Sequence, residues 1–490
     1  MTICYKIAMM NSCAISKSRS AMRIILAALF LFINSFLHGQ IQVENIQLDT
    51  LGKKVVSDII IDGNKKTKAR IILRESTLHI GDSLYWGNLK AGMIQTQRNI
   101  MNLELFNFVE VTPIQTNNSE VIVLITVQER WYIYPVPILE IAQTNFNTWW
   151  ETKEIRWLNY GVSLKHFNFR GLNQKLALTA RFGYTKQFSG AYTIPNLNKK
   201  QTLGLYLSAG YYENDQIVYN TSENERTFYR NDEDKARKLY QYKVGLSYRE
   251  DIFLSHYFEV SYLDAFVQDS VLSLQPDYFI TPETRMQFLR ATYVINYDLR
   301  DYKRYPLQGF FLYGLLRQDG LGVVNRDGLG VFTSIVGYNH HYKIRDRLYA
   351  AYSFRGKVNW TDPPYYLTRA LGYSHFVRGY ELNVLDGTSY GLVKTNIKYE
   401  ILEPKSIELP LVPTEKFSRT FVALYGNLFF DVGYVDGPDF RERNSLVNQY
   451  IYSIGAGLDI VTYYDKVMRI EGSVNAEGRG AIFVHFKQAF

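Results

Sequence analysis

The residues of this chain best placed to do chemistry are one arginine and two acids in its last third. Arg378 sits in Val377-Arg378-Gly379-Tyr380, a turn-like stretch inside a long run of polar and apolar alternation. Just downstream, "GLVKTNIKYEI" sets Lys394, Asn396, Lys398 and Glu400 on one parity and Val393, Ile397, Tyr399 and Ile401 on the other. In a strand alternate side chains share a face, so Glu400 belongs to the polar, inward face. A second strand pattern, "FVALYGNLFFDVGYV", sends Val422, Leu424, Leu428, Phe430 and Val432 outward and Asp431 and Gly433 inward. Two carboxylates aimed into one interior are costly to bury unless a cation meets them. Arg378, on the loop before the first of these strands, can be that cation, because its planar fork engages a carboxylate bidentately and stays charged. The chemistry predicted is the anchoring of a loop by an ion pair.

Signals for catalysis are absent. The sequence has no G-x-S-x-G, no H-E-x-x-H and no phosphate-cradling glycine loop, and the His340-His341 pair falls on a strand pattern and reads as a strand end at a membrane interface. No enzyme activity, cofactor or metal is expected. The formal charge of +8 is scattered through turns and alternating positions, which argues against a nucleic-acid partner.

The elements that must position these residues are strands. With 39 tyrosines, 33 glycines and only 13 prolines, the composition suits amphipathic strands better than helices. From Pro135 to Phe490 the period is two; in "YQYKVGLSYR", Tyr240, Tyr242, Val244, Leu246 and Tyr248 share one face. No helical stretch is there to cover such faces, so the lipid bilayer is the expected partner. Roughly sixteen alternating segments, at about 22 residues per strand and connector, fit a closed transmembrane barrel. Two long polar connectors, "NDQIVYNTSENERTFYRNDEDKARK" and the stretch 267–285, read as extracellular loops, and "FRGLNQ" as a periplasmic turn.

Ahead of the barrel pattern, residues 50–131 read as a small β-α-α-β-β domain. "KVVSDIIIDGN" is a strand closed by a turn, Thr67 is placed to cap a helix through "KARIILRES", and Ser83 to open a longer one containing Leu89, Met93, Ile100 and Leu103. "FNFVEVTPI" and "EVIVLITVQER" follow as strands, leaving an edge that a passing peptide could extend. Earlier still, "MRIILAALFLFINSFLHGQ" from Met22 resembles a secretory signal peptide, assigned to residues 1–39 with Met22 as a possible start. Both cysteines, Cys4 and Cys13, precede its apolar core, so the processed chain would hold no disulfide.

Taken together these motifs resemble a known family. The segment "IIIDGNKKTK…IILRE…FNFVEV…VQER" resembles a POTRA domain, and Val377–Tyr380 resembles the VRGF/VRGY motif on the sixth extracellular loop of BamA/TamA-like outer-membrane assembly and translocation barrels, where that loop folds into the lumen. "FFDVG", Phe429 to Gly433, is similar to the family's F-x-D-x-G on the thirteenth strand, and Glu400 takes the place of an acid on the twelfth. "DLRDYKRYPLQG" matches a further pattern in Asp298, Arg300, Asp301, Pro306 and Gly309. The terminal "IFVHFKQAF", with Phe486 and Phe490, resembles the sorting signal by which barrels are recognised for insertion. The resemblance implies a mainly β protein: one α+β POTRA domain in the periplasm, then a 16-stranded antiparallel barrel in a bacterial outer membrane. It implies assembly or insertion of outer-membrane proteins. Unfolded client proteins would be captured at the POTRA edge, with other parts of an assembly machinery as possible partners. Because a single POTRA domain fits, an accessory insertase is expected rather than the central one. The alternative is a two-partner-type secretion pore, and a passive porin is less favoured because it would not need the POTRA segment.

Overall fold

The computed structural model describes residues 53–116, 119–141, 158–231, 234–324, 328–408, 419–462 and 466–485. The signal-like segment, both cysteines, Phe486 and Phe490 lie outside these residues.

The first body is small. Its elements are β1 (Lys54–Asp62), α1 (Ala69–Leu73), β2 (Ser83–Leu84), α2 (Trp86–Met101), β3 (Phe106–Gln115) and β4 (Glu120–Glu129), with sheet order β2-β1-β4-β3. β1 runs parallel to β4, and β3 antiparallel to it at the edge. One face of the sheet and the apolar stripe of α2 meet in a core that includes Val56, Ile72, Leu89, Ile100, Phe106, Val121, Val123 and Ile125. Burial of these side chains is the main stabilisation available to so small a domain.

Two local expectations fail here for physical reasons. Thr67 does not cap α1, whose N-cap is Lys68; its buried hydroxyl donates instead to the Glu129 carboxylate at 2.7 Å and accepts from Asn168 Nδ2 at 2.9 Å. Ser83 does not open the second helix, because Ser83 and Leu84 pair with Val55 and Lys54 and thereby become β2. Leu103 lies past the end of α2, in a turn where Glu104 takes a left-handed φ of 61°.

The second body is a 16-stranded antiparallel sheet. In chain order the strands and loop elements are β5 (Ile133–Ile141), β6 (Leu158–Phe169), β7 (Gln174–Gly183), β8 (Thr185–Ile194), β9 (Leu203–Asn214), the loop hairpin β10 (Gln216–Ser222) and β11 (Glu225–Arg230), β12 (Arg237–Tyr248), β13 (Leu254–Val267), the loop helix α3 (Asp269–Leu274), β14 (Arg285–Asp298), β15 (Gly309–Asp319), β16 (Val331–Arg345) and β17 (Leu348–Asn359). After the short loop strands β18 (Arg369–Leu371) and β19 (Leu385–Asp386) come β20 (Ser389–Glu408), β21 (Arg419–Asp436), β22 (Tyr450–Thr462), β23 (Lys466–Asn475) and β24 (Gly480–His485). Neighbours pair in sequence order from β5 to β24, skipping the loop strands, and among the described residues no ladder joins β5 to β24. The first barrel strand starts at Ile133, two residues before the Pro135 expected from the alternation.

The alternation maps onto the two faces. Tyr242, Val244 and Leu246 of β12, and Leu428 and Phe430 of β21, are exposed on the outside, while Asn427, Phe429 and Asp431 are buried inside. An apolar outer face repeated around sixteen strands needs a non-aqueous surrounding. No described helix is long and apolar enough to cross a membrane.

Contacts across the barrel form at both of its ends. At one end the POTRA-like domain touches four successive turns: Lys68 N donates to Gly171 O (2.9 Å), Gln201 Nε2 to Arg70 O (3.1 Å), Arg249 forks onto Glu75 (2.7 Å for each bond), and Asn102 Nδ2 donates to Asp301 O (3.3 Å). At the far end the β10–β11 hairpin meets the 437–449 connector: Asn224 N donates to Asn444 Oδ1 (2.9 Å), and Asn444 Nδ2 to Thr221 O (3.2 Å). Half the sheet separates these two connectors, so their contact bridges the mouth. The far-end loops expected to be merely polar also carry an apolar cluster around Val271, Tyr278, Phe279 and Tyr365.

Candidate functional site

The loop 360–388 leaves β17, turns inward and returns to β20. It stays inside because it is apolar where it meets the wall: Leu371, Val377, Tyr380 and Leu385 pack with Tyr390, Leu392, Val435 and Ile451. Two glycines permit the approach. Gly379 has a φ of +86°, a conformation that favours glycine, and a Cβ there would lie 3.1 Å from Ser473 Oγ. A Cβ on Gly433 would meet Val377 Cγ2 at 2.6 Å and Leu371 Cδ1 at 3.0 Å, so the wall is hollowed where the loop presses on it.

At the loop's tip Arg378 is buried and every N–H of its guanidinium has an acceptor. Nε donates to Asp431 Oδ2 (2.8 Å) and Nη2 to Asp431 Oδ1 (2.5 Å), the bidentate fork. Nη1 reaches Asn396 Oδ1 (2.9 Å) and Glu471 Oε1 (3.0 Å), and the second Nη2 proton faces Thr395 O (3.3 Å). Its cationic plane also lies 3.8 Å from the centroid of the Phe429 ring. The Arg378 backbone N–H donates to Asp431 Oδ2 as well, at 3.2 Å. Around this centre Lys394 Nζ is 3.8 Å from Asp431, and Arg469 Nε lies 3.6 Å from Glu471 and 3.0 Å from Asp459. Three cations thus face three carboxylates, all inside the barrel, which is the condition for burying such charges at all.

The second acid differs from the expected one. Glu400 is on the inner face, but it accepts from Tyr425 OH (3.3 Å) and does not touch Arg378. Asp431 stands opposite Lys394, whereas Glu400 stands opposite Tyr425. Six residues of strand separate the two levels, roughly 20 Å. Glu471, on β23, takes the role instead. Its signal was present in "KVMRIEGSVN", where Arg469, Glu471, Ser473 and Asn475 share one parity and are all buried.

The remaining motif residues lie at the opposite, POTRA end. Asp298 pairs bidentately with Arg300 (2.8 Å for each bond), and Asp301 accepts from the N–H groups of Tyr302 (2.8 Å) and Leu307 (3.1 Å). Pro306 lies within this turn and Gly309 begins β15. Among the described residues no group of three or more His, Cys, Asp or Glu is arranged to hold a metal ion.

Comparison with known proteins agrees with these two bodies. The POTRA model, described as surface antigen variable number repeat, matches residues 54–130. No curated protein matches the chain. Among solved structures, CdiB from Escherichia coli is similar at 11% identity and a TM-score of 0.52, over 88% of this chain and 75% of that one. BamA from Haemophilus ducreyi lacking POTRA domains 1-3 is similar at 14% identity and a TM-score of 0.48, over 89% and 83%. The class that fold and site define is a POTRA domain followed by a 16-stranded antiparallel β-sheet, with a fold like that of CdiB.

Proposed function

We propose that this protein lies in a bacterial outer membrane with its POTRA domain in the periplasm and assists the insertion of other outer-membrane proteins, without enzymatic chemistry and without a nucleotide. A client would extend the POTRA sheet at β3 and then meet the barrel at the seam between β5 and β24, where an unpaired edge can template a new strand. The drive would be the client's own folding into lipid.

The observation that carries this reading is the contrast between lumen and seam. The Arg378 loop is anchored inside the lumen, the β10–β11 hairpin reaches across the far mouth to the 437–449 connector, and the POTRA domain docks on turns at the other end. The first and last strands, by contrast, are not laddered together among the described residues. A passive porin would need the lumen open. A two-partner-type secretion pore is the second reading, favoured by the fold-level likeness to CdiB, and it requires the loop to leave the lumen.

Photocrosslinking from Ile114, exposed on the β3 edge, separates the two in intact cells. Capture of several unfolded outer-membrane barrels is the expected outcome. Capture of a single secreted partner would favour the pore.

A further inference from the structure

The turn between β14 and β15, residues 299–308, is held as a rigid body by its own bonds. Leu299 N donates to Phe310 O (2.8 Å) and Asp301 N to Gln308 O (3.0 Å), while the Asp301 carboxylate gathers two further N–H groups of the turn. Arg300, paired with Asp298, has its guanidinium 4.5 Å from the centroid of the Phe311 ring. A body built this way transmits displacement rather than absorbing it.

It has two working faces. Outward, it grips the POTRA domain: Asn102 donates to Asp301 O (3.3 Å) and accepts from Lys303 N (3.2 Å), and Arg304 pairs with Glu104 at 2.6 Å. Inward, Tyr305 is buried in the lumen, with its ring centroid 5.0 Å from that of Tyr425 and its hydroxyl donating to Asp459 Oδ2 at 2.8 Å. The buried Lys398 ammonium, which has no hydrogen-bond partner among the described residues, rests 4.2 Å from the centroid of the same ring. From Asp459 the contacts run on without a gap: Oδ1 accepts from Arg469 Nε (3.0 Å), Arg469 reaches Glu471 (3.6 Å), and Glu471 holds Arg378 (3.0 Å).

We propose that Tyr305 is a positioning residue through which the seated POTRA domain holds the Arg378 loop in the lumen. With the domain seated, the turn keeps Tyr305 on Asp459, Asp459 orients Arg469, and Arg469 shares Glu471 with Arg378. A client that lifts the POTRA domain off the turn withdraws the phenol and weakens the far end of the network. Linkage makes the effect mutual: releasing the loop loosens the POTRA contact by the same factor. As regulation by a client this rests on the function proposed above. As linkage within the resting molecule it does not.

The test uses the full-length protein without client, in a lipid bilayer, with hydrogen exchange read at three segments: 376–381, 299–308 and 102–105. Tyr305→Phe removes only the hydroxyl, and the pair Asn102→Ala with Glu104→Ala acts entirely from the POTRA side. Both are expected to raise opening at 376–381 by about tenfold, within the usual range of coupling between sites, and Arg378→Ala is expected to raise it equally at 102–105. Retained heat-modifiable migration on gels reports that the barrel is folded, and if Tyr305→Phe fails to fold, the POTRA-side pair carries the test because it leaves the barrel untouched. Changes confined to 299–308, with 376–381 at the wild-type rate, would overturn the proposal and leave the insertion reading standing. A Tyr305 that only fills space would loosen its own surroundings without the reciprocal change at 102–105.

Discussion

At the residue scale the account depends on Arg378 having satisfied donors while it is buried from solvent. Removing one partner of a buried pair typically costs about 3–5 kcal/mol, because the abandoned carboxylates stay behind. Arg378→Ala is therefore expected to reach the membrane folded but to become protease-sensitive near residue 378, and Arg378→Lys to recover only part of the loss, since an ammonium cannot fork across Asp431. A sharper comparison sets Glu471→Gln against Glu400→Gln. Only the first should mobilise the loop, measured by the same proteolysis, because Glu471 touches Arg378 and Glu400 does not. Gly433→Ala should act from the other side, at about 1–3 kcal/mol of overpacking against Val377 and Leu371, read as a lowered unfolding midpoint in detergent. The choice between the two glutamates also marks where the sequence stops being legible. Parity tells which face a side chain takes, so Asp431 could be placed inside from its neighbours alone. Height along the barrel depends on register across connectors, and nothing local in "KTNIKYEI" fixes that Lys394, and not Glu400, lies opposite Asp431.

At the scale of elements, strands were easier to read than caps and loops. Period-two alternation is a strong signal because each barrel strand has one face against lipid and one against the lumen. Thr67 and Ser83 misled because a hydroxyl before a helical pattern has other uses when a buried carboxylate or a strand edge lies nearer than the helix end. The far-end connectors looked polar because their many charges mask the few aromatic residues that pack, Tyr278 and Phe279 among them. The docking of the POTRA domain had no sequence signal, since it joins Glu75 to Arg249 across 174 residues. That fork is the firmest part of the interface. Arg249→Ala should leave Glu75 buried without its partner and cost up to about 3 kcal/mol, reduced from the fully buried figure because Arg249 is partly exposed. The amide of Lys68, which donates across the interface to Gly171 O, should then exchange faster while the amides within β4 keep their rates.

At the scale of the whole molecule the arrangement is a barrel with contacts across both ends and, among the described residues, no ladder between its first and last strands. The Arg378 loop and the Tyr305 turn enter the lumen from opposite ends and meet the same wall, formed by β21 and β22, through Asp431 and Asp459. A wall so loaded resists deformation, and the proposed function places the change at the seam between β5 and β24. The measurement that tests this most directly is client assembly in a variant whose β5 and β24 are joined by an engineered disulfide, with Cys4 and Cys13 replaced. The account predicts that oxidation stops assembly, that reduction restores it, and that the barrel keeps its heat-modifiable migration throughout. Full activity in the oxidised, locked protein would contradict it and transfer the route to the lumen.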